Sequence, residues 1–405
     1  MSGASRVRLH PLTRQEEGGE WIVGRIETGT FVALPAVGVR FIELIDDGYE
    51  VVDVKQRLLA EFGKEFDTDG FLGSLLDLGF VSEVDGHRVT TQTPKCTFAK
   101  VRPTHVRWLM HPATGLATAL VVAASSMALA FSPELVPGPT DMIWTDRGSV
   151  FLLSQAIVAW GSIFLHELAH LFTARAVGVP GRMQFGTRLQ FLCAQTDVSG
   201  IWSAPRATRM VVYLSGMAVN AVIASLGIWI LHLPETHPLH AFGPLIFLTQ
   251  VVLLANQFLF FMRTDVYFVA QDLAACRNLY RDASLYGRYL VRRLAGLAAD
   301  DPSARLPTRE RRIVRGYAYF FVPSSLICVS LFLLVTLPVM VRLVTSALGR
   351  VAAMESTAAV MDGVIVLAMV ATVEVIWARA WWRRHRRRVI GVATRFFSRR
   401  GEPGT

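Results

Sequence analysis

The chain has 405 residues, 52% of them hydrophobic, and a formal net charge of +9, a balance that excludes an ordinary water-soluble domain and points to a bilayer as part of its solvent. The charge is divided unevenly: residues 1–100 carry 11 Lys/Arg against 16 Asp/Glu, a local net of −5, which leaves +14 for residues 101–405. Cys96, Cys193, Cys276 and Cys328 are scattered with no CxxC pair, which argues against a disulfide framework.

The first 19 residues, MSGASRVRLHPLTRQEEGG, contain no apolar core of signal-peptide length, so the amino terminus is expected to be flexible and not exported. Residues 20–92 read as a small soluble α+β domain. WIVGRIETGTFVALP supplies two strands around a Thr-Gly turn, and VGVRFIELI, VVDVKQRLLAEFG and DTDGFLGSLLDLGFV carry apolar residues at helical spacing. VDGHRV then closes the domain as a hairpin. The order resembles the PqqD-like domains, chiefly in TGTFVALP and LLDLGFV. That resemblance implies a module that holds the leader of a ribosomally made peptide during its modification. The competing reading is a generic winged-helix-like cytosolic domain that stabilises the assembly. Residues 93–112 read as a linker.

From residue 113 the pattern changes to long apolar runs, each close to the roughly 20 residues a helix needs to cross the hydrocarbon core. Candidate spans are 113–132, 150–176, 209–232, 241–262, 318–341 and 357–380, giving a polytopic α-helical membrane protein of about six transmembrane helices. The connections that hold Arg175, Arg182, Arg188, Arg206 and Arg209, and those from Arg263 to Arg315, are crowded with arginine. By the positive-inside rule these loops are cytoplasmic, so both termini and the small domain are cytoplasmic too. WWRRHRRR, Trp381–Arg388, opens a basic tail over 381–405. Directly after a span, it reads as an anchor to anionic lipid and not as a nucleic-acid patch. The segment 277–315 reads as a charged helical surface.

The second span contains HELAH. His166 and His170 are four residues apart, so on a helix they share a face and can reach one metal ion, with Glu167 beside them. This is the HExxH arrangement of zinc hydrolases, in which the carboxylate takes a proton from the attacking water. A central charge in a span costs on the order of 2.5–3.5 kcal/mol on insertion scales, so Glu167 needs a reason to be there. Two histidines satisfied by neighbouring helices are the bland alternative. A third protein ligand must come from elsewhere, because the 150–176 span holds no other acid. Asp265, at the end of the 241–262 span, is the best candidate, and Asp272 is the runner-up. Arg263 offers Asp265 a competing ion pair. Asp362 and Glu374, in the last span, read as inter-helix polar contacts or a water-facing pair. In LSGMAVNAV the small residues allow close helix approach, and Asn220 is a candidate hydrogen-bond donor to a scissile carbonyl or its oxyanion. A His/His/carboxylate set suits several divalent ions, and the HExxH arrangement favours Zn2+.

HELAH, SGMAVN and RTDVYF, in that order over residues 150–280, resemble the site-2 protease family of intramembrane zinc metalloproteases, most closely its peptide zinc metalloprotease branch, which TDVSGIW and DVYFVAQDLAACRNL also fit. The resemblance implies zinc on His166, His170 and Asp265, Glu167 as base and Asn220 beside the reaction centre. Val266 and Phe260 stand where the family has a glycine after the ligand and a proline before it, and Gly216-Met217 replaces a Gly-Pro. Between the first two motifs, alternation broken at Gly186 and Asp197 suggests a hairpin. One edge of it, around Gln190, would pair with an unwound substrate.

The leading expectation is therefore an intramembrane zinc endopeptidase of a bacterial inner membrane that cuts a peptide or membrane-protein substrate near the cytoplasmic face, with export or peptide-modification partners and no nucleic acid. A non-proteolytic subunit assisting peptide maturation or export is the alternative from another class. A signalling site-2 protease would be expected to carry a periplasmic peptide-binding domain, for which no outer loop here is long enough.

Overall fold

In a computed structural model of the chain, the structure describes residues 6–17, 20–90, 95–138, 141–145, 147–188, 191–259, 262–276, 278–354 and 356–398. Gln190 and Phe260 lie outside the described residues. The chain divides into two compact units. One comprises Met1–Gly115, Leu168–Met183 and Thr196–Val212; the other comprises Leu116–Glu167, Gln184–Gln195 and Tyr213–Thr405.

The first unit begins with strands β1 (Val7–Leu9), β2 (Thr13–Glu17), β3 (Glu20–Arg25) and β4 (Thr30–Leu34). Helices α1 (Ala36–Asp46), α2 (Val51–Phe62) and α3 (Thr68–Asp77) follow, then strands β5 (Val81–Val84) and β6 (His87–Arg88). Two antiparallel sheets form, ordered β2-β3-β4 and β1-β5-β6. In β3 and β4, Val23 faces Val32 and Trp21 faces Leu34. The helical spacing of Phe41, Leu44 and Ile45 puts all three on the inner face of α1, where they are at most 3% exposed. They share a core with Val54, Leu58, Leu72, Leu75 and Phe80, each side chain contributing roughly 1.5–3 kcal/mol by burial. Asp67 caps α3 by accepting from the Gly70 N–H at 2.9 Å. Residues 7–17, expected to be flexible, instead form β1 and β2.

Residues 95–110 are not a loose tether. After the helical turn α4 (Pro103–Val106) the chain enters α5 (Pro112–Phe131), and α6 (Gly148–Ala176) ends with Gly178 in the left-handed region at φ 82°. The Val179 N–H reaches the Ala174 carbonyl at 3.0 Å, a helix stop that favours glycine. Thr97 donates its N–H to the Gly181 carbonyl at 3.0 Å, and its Oγ1 accepts from the Met183 N–H at 2.9 Å. The Arg175 guanidinium donates to the Thr97 and Val101 carbonyls at 3.1 and 3.2 Å. A cation in the last turn of α6 thereby meets two backbone oxygens where the helix dipole also favours it.

Strands β7 (Arg182–Arg188) and β8 (Phe191–Asp197) form the expected hairpin, paired as a two-stranded sheet. At its base Arg182 donates to Asp197 at 2.9 Å, and Asp197 also accepts from the Ser199 hydroxyl at 2.6 Å. A turn at Ser199–Ser203 leads into α7 (Arg206–Leu231). Gly200 allows this turn to approach Val179 and Ile26, since a Cβ there would stand 2.8 Å from Val179 Cγ1.

In the second unit, α7 is followed by α8 (Phe242–Gln257), α9 (Asp265–Leu273), α10 (Leu279–Leu294), α11 (Thr308–Leu331), α12 (Leu337–Ala353) and α13 (Thr357–Ser398). Among the described residues, five helices are long and apolar enough to cross a membrane: Pro112–Phe131, Gly148–Ala176, Arg206–Leu231, Thr308–Leu334 and Thr357–Arg383. Their outer faces carry exposed large apolar side chains such as Leu116, Leu120, Ile157 and Leu326, a surface suited to lipid and not to water.

Three expectations change. The fourth span stops at Gln257 after 16 residues, about 24 Å of helix, although the apolar sequence runs on to Met262. The fifth lies over Thr308–Leu334 in place of 318–341, and α11 and α12 are joined through a π-helical stretch at Phe332–Thr336; Pro338 has no N–H for the preceding turn, which favours such a widening. The basic stretch after residue 380 continues α13 to Ser398 and does not leave it as a tail.

Within this unit α7 and α8 pack closely, since a Cβ on Gly227 would stand 2.8 Å from the Phe247 backbone nitrogen. Helix α8 is also tied to α6 by polar bonds: Gln250 donates to Ser162 Oγ at 2.7 Å and Gln155 donates to Thr249 Oγ1 at 3.3 Å. Asp362 of α13 accepts from the Ser149 N–H at 2.8 Å and pairs with Arg350 of α12, which is the inter-helix polar contact expected of it. Glu374 is exposed on α13. Helices α10 and α11 form a hairpin around Tyr267, Ala283, Tyr286, Val314 and Ala318.

Candidate metal centre

The HELAH segment lies within α6. His166, Glu167 and His170 are 5%, 8% and 7% exposed. The sequence leaves this stretch no alternative to helix: it has no Pro or Gly between Gly161 and Gly178, so the two imidazoles are held one turn apart on one face.

The third group arrives from a helix start. Asp265 is the first residue of α9, with Thr264 in extended backbone before it, and a carboxylate there is favoured by the positive end of the helix. Its Oδ2 lies 2.9 Å from His166 Nε2. His170 is oriented from its other side, with Nδ1 2.8 Å from the Val212 carbonyl of α7. A carbonyl can only accept, so Nδ1 carries the proton and Nε2 keeps its lone pair for a metal.

Among the described residues, His166, His170 and Asp265 form the one group of at least three potential ligands, with ligand atoms all within 4.8 Å of one another. Ligands of one tetrahedral zinc stand roughly 3.4 Å apart, from bonds of about 2.0–2.2 Å. Small side-chain rotations bridge that difference, and the tautomer imposed on His170 suits a cation. The donor set therefore fits a divalent metal.

Asp272, the runner-up ligand, is 3% exposed on α9 and outside that group. Arg263, the competing partner for Asp265, adopts a left-handed backbone at φ 56° and places its guanidinium over the rings of Phe268 and Tyr280, at 5.8 and 5.5 Å. Asn220 is 2% exposed in α7, and its Oδ1 has no hydrogen-bond partner. A buried amide oxygen left so costs roughly 1–3 kcal/mol; it is an acceptor, a different atom from the Nδ2 donor that would face a carbonyl oxygen.

Two contributors escape sequence reasoning. The Val212 carbonyl is backbone, so no residue type announces it. Gln257, whose Oε1 accepts from the Asp265 N–H at 3.2 Å, belongs to no motif in the sequence as read. No protein-family model, no curated protein and no solved structure matches this chain.

Proposed function

We propose that this protein is an intramembrane zinc endopeptidase, similar in its site to the site-2 proteases. One observation carries the reading: His166, His170 and Asp265 converge, with buried Glu167 alongside, on a helix of membrane-crossing length. A buried acid in such a helix is expensive, and metal-assisted hydrolysis gives it work.

Zinc held by His166, His170 and Asp265 would supply Lewis acidity to a water molecule and a peptide carbonyl. Glu167 takes the proton from the attacking water and passes it to the leaving amine. The Asn220 amide hydrogen-bonds the carbonyl oxygen as it gains charge. The Val212 carbonyl keeps the His170 ring in one tautomer through the cycle.

The arginine-rich connections favour a cytoplasmic amino-terminal domain, and with the shorter apolar helix α8 counted as a sixth crossing both termini fall on that side of a bacterial inner membrane, with the cut near its inner face. The PqqD-like character of residues 20–92 makes a ribosomally made precursor peptide the favoured substrate, with export or peptide-modification enzymes as partners. Hairpin β7–β8 offers an edge to an unwound substrate strand.

The test is zinc content of detergent-purified protein by mass spectrometry, for wild type, Glu167→Gln and Asp265→Ala, with precursor peptides encoded beside it incubated alongside. One zinc per chain is expected in wild type and Glu167→Gln, less in Asp265→Ala, and cleavage in wild type alone. A zinc-free wild type would sink the peptidase reading in favour of a non-proteolytic export subunit.

A further inference from the structure

Of the three candidate ligands, Asp265 alone comes from outside α6, and a break between two helices has to deliver it. Helix α8 stops at Gln257, and Arg263 crosses a left-handed conformation without being glycine. Such a conformation persists only where surrounding bonds over-determine it. Among the described residues, two bonds that span the break end on one residue. Thr264 Oγ1 donates to the Gln257 carbonyl at 2.6 Å, and the Asp265 N–H donates to the Gln257 side-chain Oε1 at 3.2 Å. The first N–H groups of a helix have no partner inside it, and the Thr264 side chain does not cap α9. Gln257 supplies that cap from the end of the preceding helix.

Gln257 is itself fixed in relation to His166. Seven residues earlier on α8, Gln250 is fully buried and donates to Ser162 at 2.7 Å. Ser162 lies one turn before His166 on the same face of α6. The contacts close a circuit: Ser162 to Gln250 between helices, Gln250 to Gln257 along α8, Gln257 to Asp265 across the break, and Asp265 to His166 at 2.9 Å. Every member belongs to the same compact unit.

We infer that Gln257 is the positioning residue for Asp265: its side-chain oxygen sets the backbone from which the carboxylate reaches the metal. This rests on the metal-centre reading above. Partners of this kind commonly change metal affinity by about 10–100-fold when removed.

The experiment is zinc affinity of the full-length protein in detergent, by competition with a chromophoric chelator, for wild type, Gln257→Leu, Gln257→Glu and Asp265→Ala, and for Gln257→Leu combined with Asp265→Ala. Gln257→Leu is expected to weaken zinc binding about 10–100-fold, whereas Gln257→Glu, which keeps an acceptor oxygen at that place, stays within a few-fold of wild type. In the Asp265→Ala background Gln257→Leu should cost nothing further, because its effect passes through that carboxylate. Equal losses in the Leu and Glu variants, no loss in either, or a full additional loss in the double variant would each overturn the assignment while leaving the metal centre standing. A wild type that binds no zinc would overturn both together.

Discussion

Gly227→Ala tests the packing that holds α8 in place. The added methyl would meet the Phe247 nitrogen at 2.8 Å, its Cβ at 3.0 Å and its Cα at 3.1 Å. Ordinary carbon contacts lie at about 3.5–4.0 Å, so α7 and α8 must part locally by roughly 0.5–1 Å. Two of the three obstructing atoms are backbone, which no rotamer change can move. Overpacking of this kind costs roughly 1–3 kcal/mol, against a gain of about 0.5–1 kcal/mol for replacing glycine by alanine inside a helix. The clash outweighs the gain through most of these ranges, and a net loss of up to about 2.5 kcal/mol is expected. Gly161→Ala in α6 is the mirror case, because nothing lies within 4 Å of its added methyl; there the helix term stands alone and stability should rise. Equilibrium unfolding in mixed micelles with increasing dodecyl sulfate reads both. If Gly227→Ala proved as stable as Gly161→Ala, the contact at Phe247 would not be what sets the distance between these helices.

Other expectations concern single polar groups. Asn220→Leu removes a buried acceptor that has no partner while keeping the volume, so the protein should unfold no more easily than wild type in the same micelle assay. On the peptidase reading, peptide cleavage should nevertheless fall by about 10²–10³, the usual loss of one oxyanion donor; equal losses of stability and activity would show a merely structural amide. Burial pushes the Asp197 carboxyl up, but the Ser199 hydroxyl, the Arg182 guanidinium and the Ser199 N–H together hold it below its ordinary 3.8. A depressed folded value stabilises above the unfolded one and is lost as pH falls through the folded one. Limited proteolysis should therefore cut the β7–β8 hairpin faster in Asp197→Asn than in wild type at pH 7 and pH 5. The difference should close progressively below about pH 4, and a difference independent of pH would refute the role of the charge.

The sequence pattern reveals the amino-terminal helices because Phe41, Leu44 and Ile45 must share one face. It reveals the centre because His166 and His170 cannot part on a helix. It does not reveal where α8 stops. The run through Phe258 and Met262 is as apolar as any span, and hydropathy records composition without recording hydrogen bonds; the bonds across the break fall on Gln257 and Thr264, which no apolar pattern marks. Strand β1 escapes for another reason: three residues are too few to show alternation, and β1 pairs with β5, where Val7 faces Val84. Helix α10 is the reverse case. Its charged, amphipathic pattern suggests a free surface, yet Ala283 and Tyr286 are buried against Val314 and Ala318 of α11.

The clamp on residues 95–101 bears on biosynthesis. Its acceptor carbonyls at Thr97 and Val101 precede the donor Arg175 by 78 and 74 residues, and Met183 follows Thr97 by 86. A ribosome adding about 5–20 residues each second takes roughly 4–16 s to make the arginine that closes it. During that interval the amino-terminal domain has all of its own strands and helices, while α5 and then α6 are still being made. The nascent domain thus completes its own core first and is fastened to the root of α6 only after that helix has emerged, an order of events that chain connectivity imposes on assembly.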